Sequence, residues 1–331
     1  MRILQMTTEL RAAGAERVVS DLSRGLAERG HDVRVLSLMP LPESSPILDE
    51  LSEAEIPVAS LGLTRWTPWR AAGWARILRG WHPQVVHAHL FHPRVLSRML
   101  PPRGAKIINT VHVAERRPGR GWQFFLDRLT LNGCHAQTAV SHAVASYHAQ
   151  RVGVGASEIP VILNGIDPPR PLQPPEVRAL RQEWGVENCD LVLGSAGRLA
   201  YQKGYDQLLR LLPELSRQIP EGQTWGLVLM GVGPDRAALE RQALLPPPNV
   251  RVHFAGFRKD AARCLGALDV FIMPSRYEGF GISLIEAMAH GVPAVASDVD
   301  SLPELMRSYP NGVCVDFSEP SVAAAAILDA S

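Results

Sequence analysis

An α/β chain of two domains is the fold class that this 331-residue sequence predicts, and three observations lead to it. Residues 268–297 read as strand, loop, helix and strand, the right-handed crossover unit of a parallel sheet. Each half opens on a short apolar run, residues 2–8 and 191–198, that leads into a glycine-containing loop. Between the halves, Pro168, Pro169, Pro171, Pro174 and Pro175 crowd a segment that can be neither helix interior nor central strand, which makes it a linker. The expected boundaries are a first domain at 1–167, the linker at 168–176 and a second domain at 177–331, each long enough for its own core.

Composition narrows the function classes. With 46% hydrophobic and 20% charged residues the chain is ordinary for a soluble enzyme. Cys134, Cys189, Cys264 and Cys314 show no C-x-x-C spacing, so reduced thiols in a cytoplasmic protein are expected, and a zinc or redox pair is not. Glu9, Arg11, Glu16 and Arg17 interrupt any signal-peptide core, and no uncharged apolar run is long enough to span a bilayer. The net charge of +1 gives no sign of nucleic-acid binding. It conceals an asymmetry: residues 1–165 hold 19 Lys and Arg against 13 Asp and Glu, a balance of +6, and the remainder balances at −5. A basic first half suits an acidic lipid surface or a phosphorylated acceptor, or reflects an uneven scatter of arginines.

In the first half, strand 2–8 is followed by apolar residues at helical spacing over 10–29 and by a strand at 31–38. No G-x-G-x-x-G lies between them, which argues against a nicotinamide or flavin site. Trp66, Trp69, Trp74 and Trp81 alternate with Arg65, Arg70, Arg76 and Arg79, a pattern that suits the inner surface of a membrane if the tryptophans are not core. Strand 84–89 delivers His87 and His89, with His92 close behind; lacking a carboxylate or cysteine, they read as cleft lining or satisfied core histidines, and no metal is expected. Strand 106–112 ends in His112, and the basic loop 115–121 after it could admit an acceptor.

In the second half, strand 191–198 enters the loop G-R-L-A-Y-Q-K-G of residues 197–204, and further strands are expected at 226–233 and 250–258. After strand 268–274 comes the loop 275–281, whose Gly279 and Gly281 let the backbone approach a ligand. The free amides of the helix that starts at Ile282 favour an anion, so a phosphate is the expected guest. Glu286 stands inside this helix among Ile282, Leu284, Ile285, Ala287, Met288 and Ala289, where a carboxylate is costly unless it finds donors. Two vicinal hydroxyls would supply them.

The string E-G-F-G-I-S-L-I-E, with Glu278 and Glu286 separated by seven residues and followed by A-M-A-H-G-V-P-A-V-A-S-D, resembles the signature of retaining glycosyltransferases of family 4. That resemblance implies the GT-B fold: two Rossmann-like, doubly wound domains facing a central cleft. It implies that Glu278 holds hydroxyls of the donor sugar, that the amides of Gly279, Phe280, Gly281 and Ile282 meet sugar and diphosphate, and that Glu286 binds the ribose. Residues 197–204 resemble the family's G-R-L-x-x-x-K-G, in which Arg198 and Lys203 would clamp the diphosphate. Fixed cations there stabilise the departing nucleoside diphosphate more in the transition state than in the ground state. By the same resemblance His112 reaches the sugar near the reacting carbon, Gly14 faces the cleft, and the backbone at Phe257 and Arg258 frames the base.

Two departures accompany the likeness. Ala13 stands where the family has the first glycine of a pair, and Asp300 and Ser301 stand where it has two glycines, which implies an altered sugar preference or impaired donor binding. The family also continues through further helices beyond the point reached at Ser331. The expected activity is transfer of a hexose, with retention and without metal or cofactor, from a UDP- or GDP-sugar to an envelope, polysaccharide or lipid-linked acceptor. A catalytically silent sugar-nucleotide-binding protein and a nucleotide-sugar epimerase of similar fold are the rivals.

Overall fold

The computed structural model describes residues 1–11, 13–64, 67, 71, 73–74, 78, 80–117 and 119–331. They fall into two compact units, Met1–Asn164 and Gly165–Ser331.

In the first unit, β1 (Arg2–Thr7), α1 (Gly14–Glu28), β2 (Asp32–Ser37), α2 (Pro46–Glu53), β3 (Val58–Ser60), β4 (Val85–His89), α3 (Phe91–Met99), β5 (Lys106–Val111), α4 (Gly121–Thr130), β6 (Ala136–Ala139) and α5 (His142–Val152) follow one another. The strands form one parallel sheet in the order β3-β2-β1-β4-β5-β6, with Ile3 opposite both Val33 and Val85. Local chemistry sets several helix ends: Ser45 and Ser141 accept amide N–H groups at the starts of α2 and α5, and Gly153 ends α5 in the left-handed region. One face of the sheet buries Leu4, Met6, Leu36, Val86, Ala88 and Ile107, and the other includes Val33 and Val35. Trp74 and Trp81 belong to this core, their indole N–H groups donating to the Leu100 carbonyl at 2.8 Å and to Asp32 Oδ2 at 2.7 Å. A membrane role for these two is thereby excluded, while Trp66, Trp69 and the four arginines among them lie outside the described residues.

A buried charge cluster ties three helices to the sheet. Asp127 of α4 pairs with Arg98 and, at 2.6 Å, with Arg94, both on α3. Arg98 also donates to Asn109 of β5 and Gln137 of β6, each at 2.5 Å. Burial would raise the Asp127 pKa, but the two guanidinium groups prevail and hold it below the usual carboxylate range. His148 of α5, beside them, is pushed down to about 3 by burial and by Arg94.

The second unit comprises α6 (Pro174–Glu183), β7 (Leu191–Ala196), α7 (Tyr205–Gln218), β8 (Trp225–Met230), α8 (Arg236–Gln242), β9 (Val250–Gly256), α9 (Ala261–Cys264), β10 (Val270–Met273), α10 (Ile282–Ala289), β11 (Ala294–Ser297), α11 (Leu302–Met306), β12 (Gly312–Val315) and α12 (Pro320–Asp329). Its parallel sheet runs β12-β11-β10-β7-β8-β9. Period-two alternation sends Leu193, Val270 and Ile272 to one core and Val192, Phe271 and Met273 to the other, so both faces are covered.

Both halves are therefore Rossmann-like and doubly wound, as expected, and in each the strand order reverses once: between β1 and β4, and between β7 and β10. Part of the expected linker is helical, since α6 starts at Pro174. Prolines suit a first helical turn, where no amide hydrogen is needed, and Glu176 reaches back to the Gln173 amide at 2.9 Å.

Candidate active site

Ligands of open α/β sheets bind beyond the carboxyl ends of the strands where the order reverses. In the second unit that point is flanked by the loops after β7 and β10, which are in direct backbone contact. Gly204, which ends the turn Tyr201–Lys203, has φ +66°, and a Cβ there would lie 1.9 Å from the Pro274 carbonyl oxygen. The Arg276 amide donates to the Gln202 carbonyl at 2.7 Å, and Gln202 Nε2 donates to the Tyr277 carbonyl at 3.1 Å. The Arg276 guanidinium closes the junction. It donates to both carboxylate oxygens of Asp206 at 2.7 Å and to the Tyr201 carbonyl at 2.9 Å, and lies 4.2 Å from the centre of the Tyr201 ring. Asp206 is held below the usual carboxylate range, chiefly by that hydrogen bonding to Arg276.

This junction brings Lys203 of one loop into an ion pair with Glu278 of the other, with side-chain exposures of 18% and 10%. Glu278 Oε1 accepts the Gly279 amide at 3.1 Å, while its own amide donates to Asp300 Oδ2 at 3.0 Å. Ser301 Oγ donates to the Phe280 carbonyl at 3.0 Å. Asp300 and Ser301 thus fasten the loop 278–280, Asp300 at a positive φ of 47°. Tyr205 is buried beneath, and burial, reinforced by Glu278 against a hydrogen bond from Ser195, pushes its phenol up.

Gly281, at φ +96°, caps α10 without a side chain; its carbonyl accepts the Leu284 amide at 3.0 Å, and no side chain caps the Ile282 and Ser283 amides ahead of it. Ser283 donates to the Ala196 carbonyl at 2.9 Å, which turns that face of α10 toward the end of β7. Glu286, one turn later on the same face, is half-buried. Arg198 is exposed at the mouth of the β7 loop. Phe257 is 46% exposed after β9, but the Arg258 side chain is committed elsewhere, to Glu183 and, at 2.9 Å, to Asp260. Of the residues singled out in the sequence, Lys203, Glu278, Gly279, Phe280 and Gly281 are thus brought together, with Arg198, Ile282 and Glu286 on the same two loops and helix.

Gly14 and His112 belong to the first unit. Gly14 begins α1, and His112 follows β5 in a chain of neutral groups: His112 Nε2 lies 2.8 Å from His89 Nδ1, and His89 Nε2 lies 2.8 Å from Gln5 Oε1. Burial pushes His112 down to about 3 and His87 to about 4. With Gln5 Oε1 accepting, His89 carries its proton on Nε2 and His112 carries its own on Nε2, leaving His112 Nδ1 as the basic nitrogen. The sequence reading missed Gln5, Asp206 and Arg276. Arg276 and Asp206 are 70 residues apart, with no local pattern to connect them. Among the described residues no cluster of three His, Cys, Asp or Glu could hold a metal ion.

Residues 12–170 match the family described as Glycosyltransferase Family 4, and residues 176–331 match Glycosyl transferases group 1. A glycogen synthase of Mycobacterium tuberculosis is 30% identical over 99% of this chain and 86% of its own. The lipopolysaccharide core biosynthesis mannosyltransferase LpsB of Rhizobium meliloti is 32% identical over 77% of this chain and 70% of its own. Among solved structures, HepE of Anabaena in complex with UDP and glucose superposes with a TM-score of 0.82 at 22% identity, over 99% of this chain and 90% of that one.

Proposed function

The chain belongs to the group 1, family 4 glycosyltransferases, and from that premise we propose that it moves a hexose, with retention of anomeric configuration, from a UDP- or GDP-sugar to an envelope, polysaccharide or lipid-linked acceptor. The observation that carries this reading is the convergence of Lys203, Glu278 and the α10 N-terminus at the strand-order reversal of the second unit. A diphosphate at the helix amides would be met by Arg198 and Lys203, and Glu278, released from Lys203, would accept from sugar hydroxyls. Glu286 takes the ribose, and the backbone at Phe257 and Arg258 takes the base. As the bond to the leaving diphosphate breaks, its growing negative charge is met by cations already in place. From the first unit the proposal uses His112 and Gly14, on the family resemblance alone.

The names of the relatives support a nucleotide-sugar donor and a glycan acceptor. A metal-independent reaction at the cytoplasmic face of a membrane belongs to the same proposal. Incubation with labelled UDP- and GDP-sugars, with and without glycan acceptors, tests it: transfer or slow hydrolysis with retained configuration is expected. Epimerisation, or binding without turnover, would overturn it. Glu286→Ala should weaken nucleotide binding, and Glu278→Ala should raise the donor KM through lost sugar contacts; wild-type behaviour of both removes the assignment.

A further inference from the structure

Helix α4 is oriented the wrong way round for an ordinary surface helix. Its buried side carries Gln123 and Asp127, and Asp127 answers the internal arginines of α3. Its outward side carries Trp122, Phe125 and Leu129, with exposures of 48%, 62% and 63%. At helical spacing these three lie within one stripe about 60° wide, with Phe125 midway along its length. Trp122 is steadied edge-to-face by Phe91 at 5.3 Å, so it is presented outward from a fixed base. A contiguous apolar stripe in water marks an interaction surface.

The rim of this stripe is cationic. At the N-terminal end of α4 a cleft of about 240 Å³ is lined by Arg116, Arg117, Arg120 and Arg151, with Glu115, which pairs with Arg117, as its one acidic group. Arg116 and Arg151 lie over the Tyr147 ring at 4.9 and 5.1 Å, which keeps two positive charges close together at the surface. Arg128 is exposed on α4 itself. Aromatic side chains facing outward beside clustered arginines fit the boundary of an anionic bilayer, where phosphates meet the guanidinium groups and the rings enter the headgroup layer. Among the described residues no helix is long and apolar enough to cross a membrane, so contact of this kind would be peripheral.

We propose that the outward face of α4 and the arginine-lined cleft at its N-terminus form the surface by which this protein docks on an anionic phospholipid membrane. The proposal deepens the membrane-face reading above and relocates it from the tryptophan segment to α4. Co-sedimentation of the full chain with phosphatidylglycerol-containing vesicles, with no donor or acceptor present, tests it independently of sugar transfer. Binding to these vesicles is expected to exceed binding to phosphatidylcholine vesicles and to fall with added salt, about fivefold for each arginine changed to Gln among Arg116, Arg120 and Arg151. The triple variant Trp122→Ser, Phe125→Ser, Leu129→Ser should bind at least about tenfold more weakly, with unchanged thermal midpoint and donor hydrolysis. Should the triple variant lose its fold, Phe125→Ser alone, midway along the stripe, should still reduce vesicle binding. Equal vesicle binding by the folded variants overturns the proposal. So does a wild-type protein that ignores both lipids, or a dimer in lipid-free solution that the substitutions dissolve.

Discussion

At the scale of single residues, the pairing of Lys203 with Glu278 depends on Arg276, which holds the turn Tyr201–Lys203 against the loop that carries Glu278. On the proposed role of Lys203 beside the leaving diphosphate, Lys203→Ala should lower kcat by about a hundredfold or more. Arg276→Ala should lower kcat by about tenfold through misplacement, and Arg276→Lys should recover little, since a single ammonium cannot hold both oxygens of Asp206 and the Tyr201 carbonyl. Turnover of both variants at the wild-type rate would place this junction outside the mechanism. The candidate acids and cations of the site stand in two short strings, 197–204 and 278–286, which place Arg198, Lys203 and Glu278 on loops and Glu286 on a helix, and so their neighbourhood could be read from the sequence. Asp300 and Ser301 were legible as departures but not as to their role. Their bonds reach back 22 and 21 residues to backbone atoms, and no spacing reveals a hydrogen bond to main chain.

At the scale of elements, the strands were readable from apolar runs bounded by glycine or proline, because both faces of each sheet are buried. The helices of the first unit were less readable. Helix α4 hides its polar side and exposes its apolar one, so hydrophobic periodicity points to the wrong face. The start of α6 reads as linker in the sequence because proline content alone does not distinguish a first helical turn from an extended segment. What orders α3, α4 and α5 is the charge cluster around Asp127. Asp127→Asn should cost about 3–5 kcal/mol by leaving two buried guanidinium groups without their counter-charge. Denaturant unfolding measures this directly, and a change below about 1 kcal/mol would mean that water reaches the arginines.

At the scale of the whole molecule, two units with separate cores respond differently to acid. His89 and His148 are buried and neutral in the first unit, with His148 at about 3 and His89 well below its ordinary range. Once unfolded, both regain a pKa near 6.5, so between the two values the unfolded chain binds more protons and stability falls as pH falls. The stability is at its full value above about pH 6.5, and the loss amounts to roughly 2 kcal/mol for His148 by about pH 5. Asp127, whose pKa is depressed, adds to the loss further down. Urea titrations at about pH 7 and pH 5 should show a lower midpoint for the first unit in acid and little change in the second; parallel behaviour of both would remove the histidines as the cause.

The ion pair between Lys203 and Glu278 has a further bearing on turnover. A guest that offers negative charge alone must draw Lys203 away and strand a buried carboxylate, whereas one that also brings hydroxyls answers both members at once. Spent nucleotide should therefore be held more weakly than the intact sugar-bearing form, a difference that calorimetry with each would measure and that Glu278→Gln should erase. Discharge of the by-product would then be favoured by the same two side chains that are proposed to receive the fresh donor.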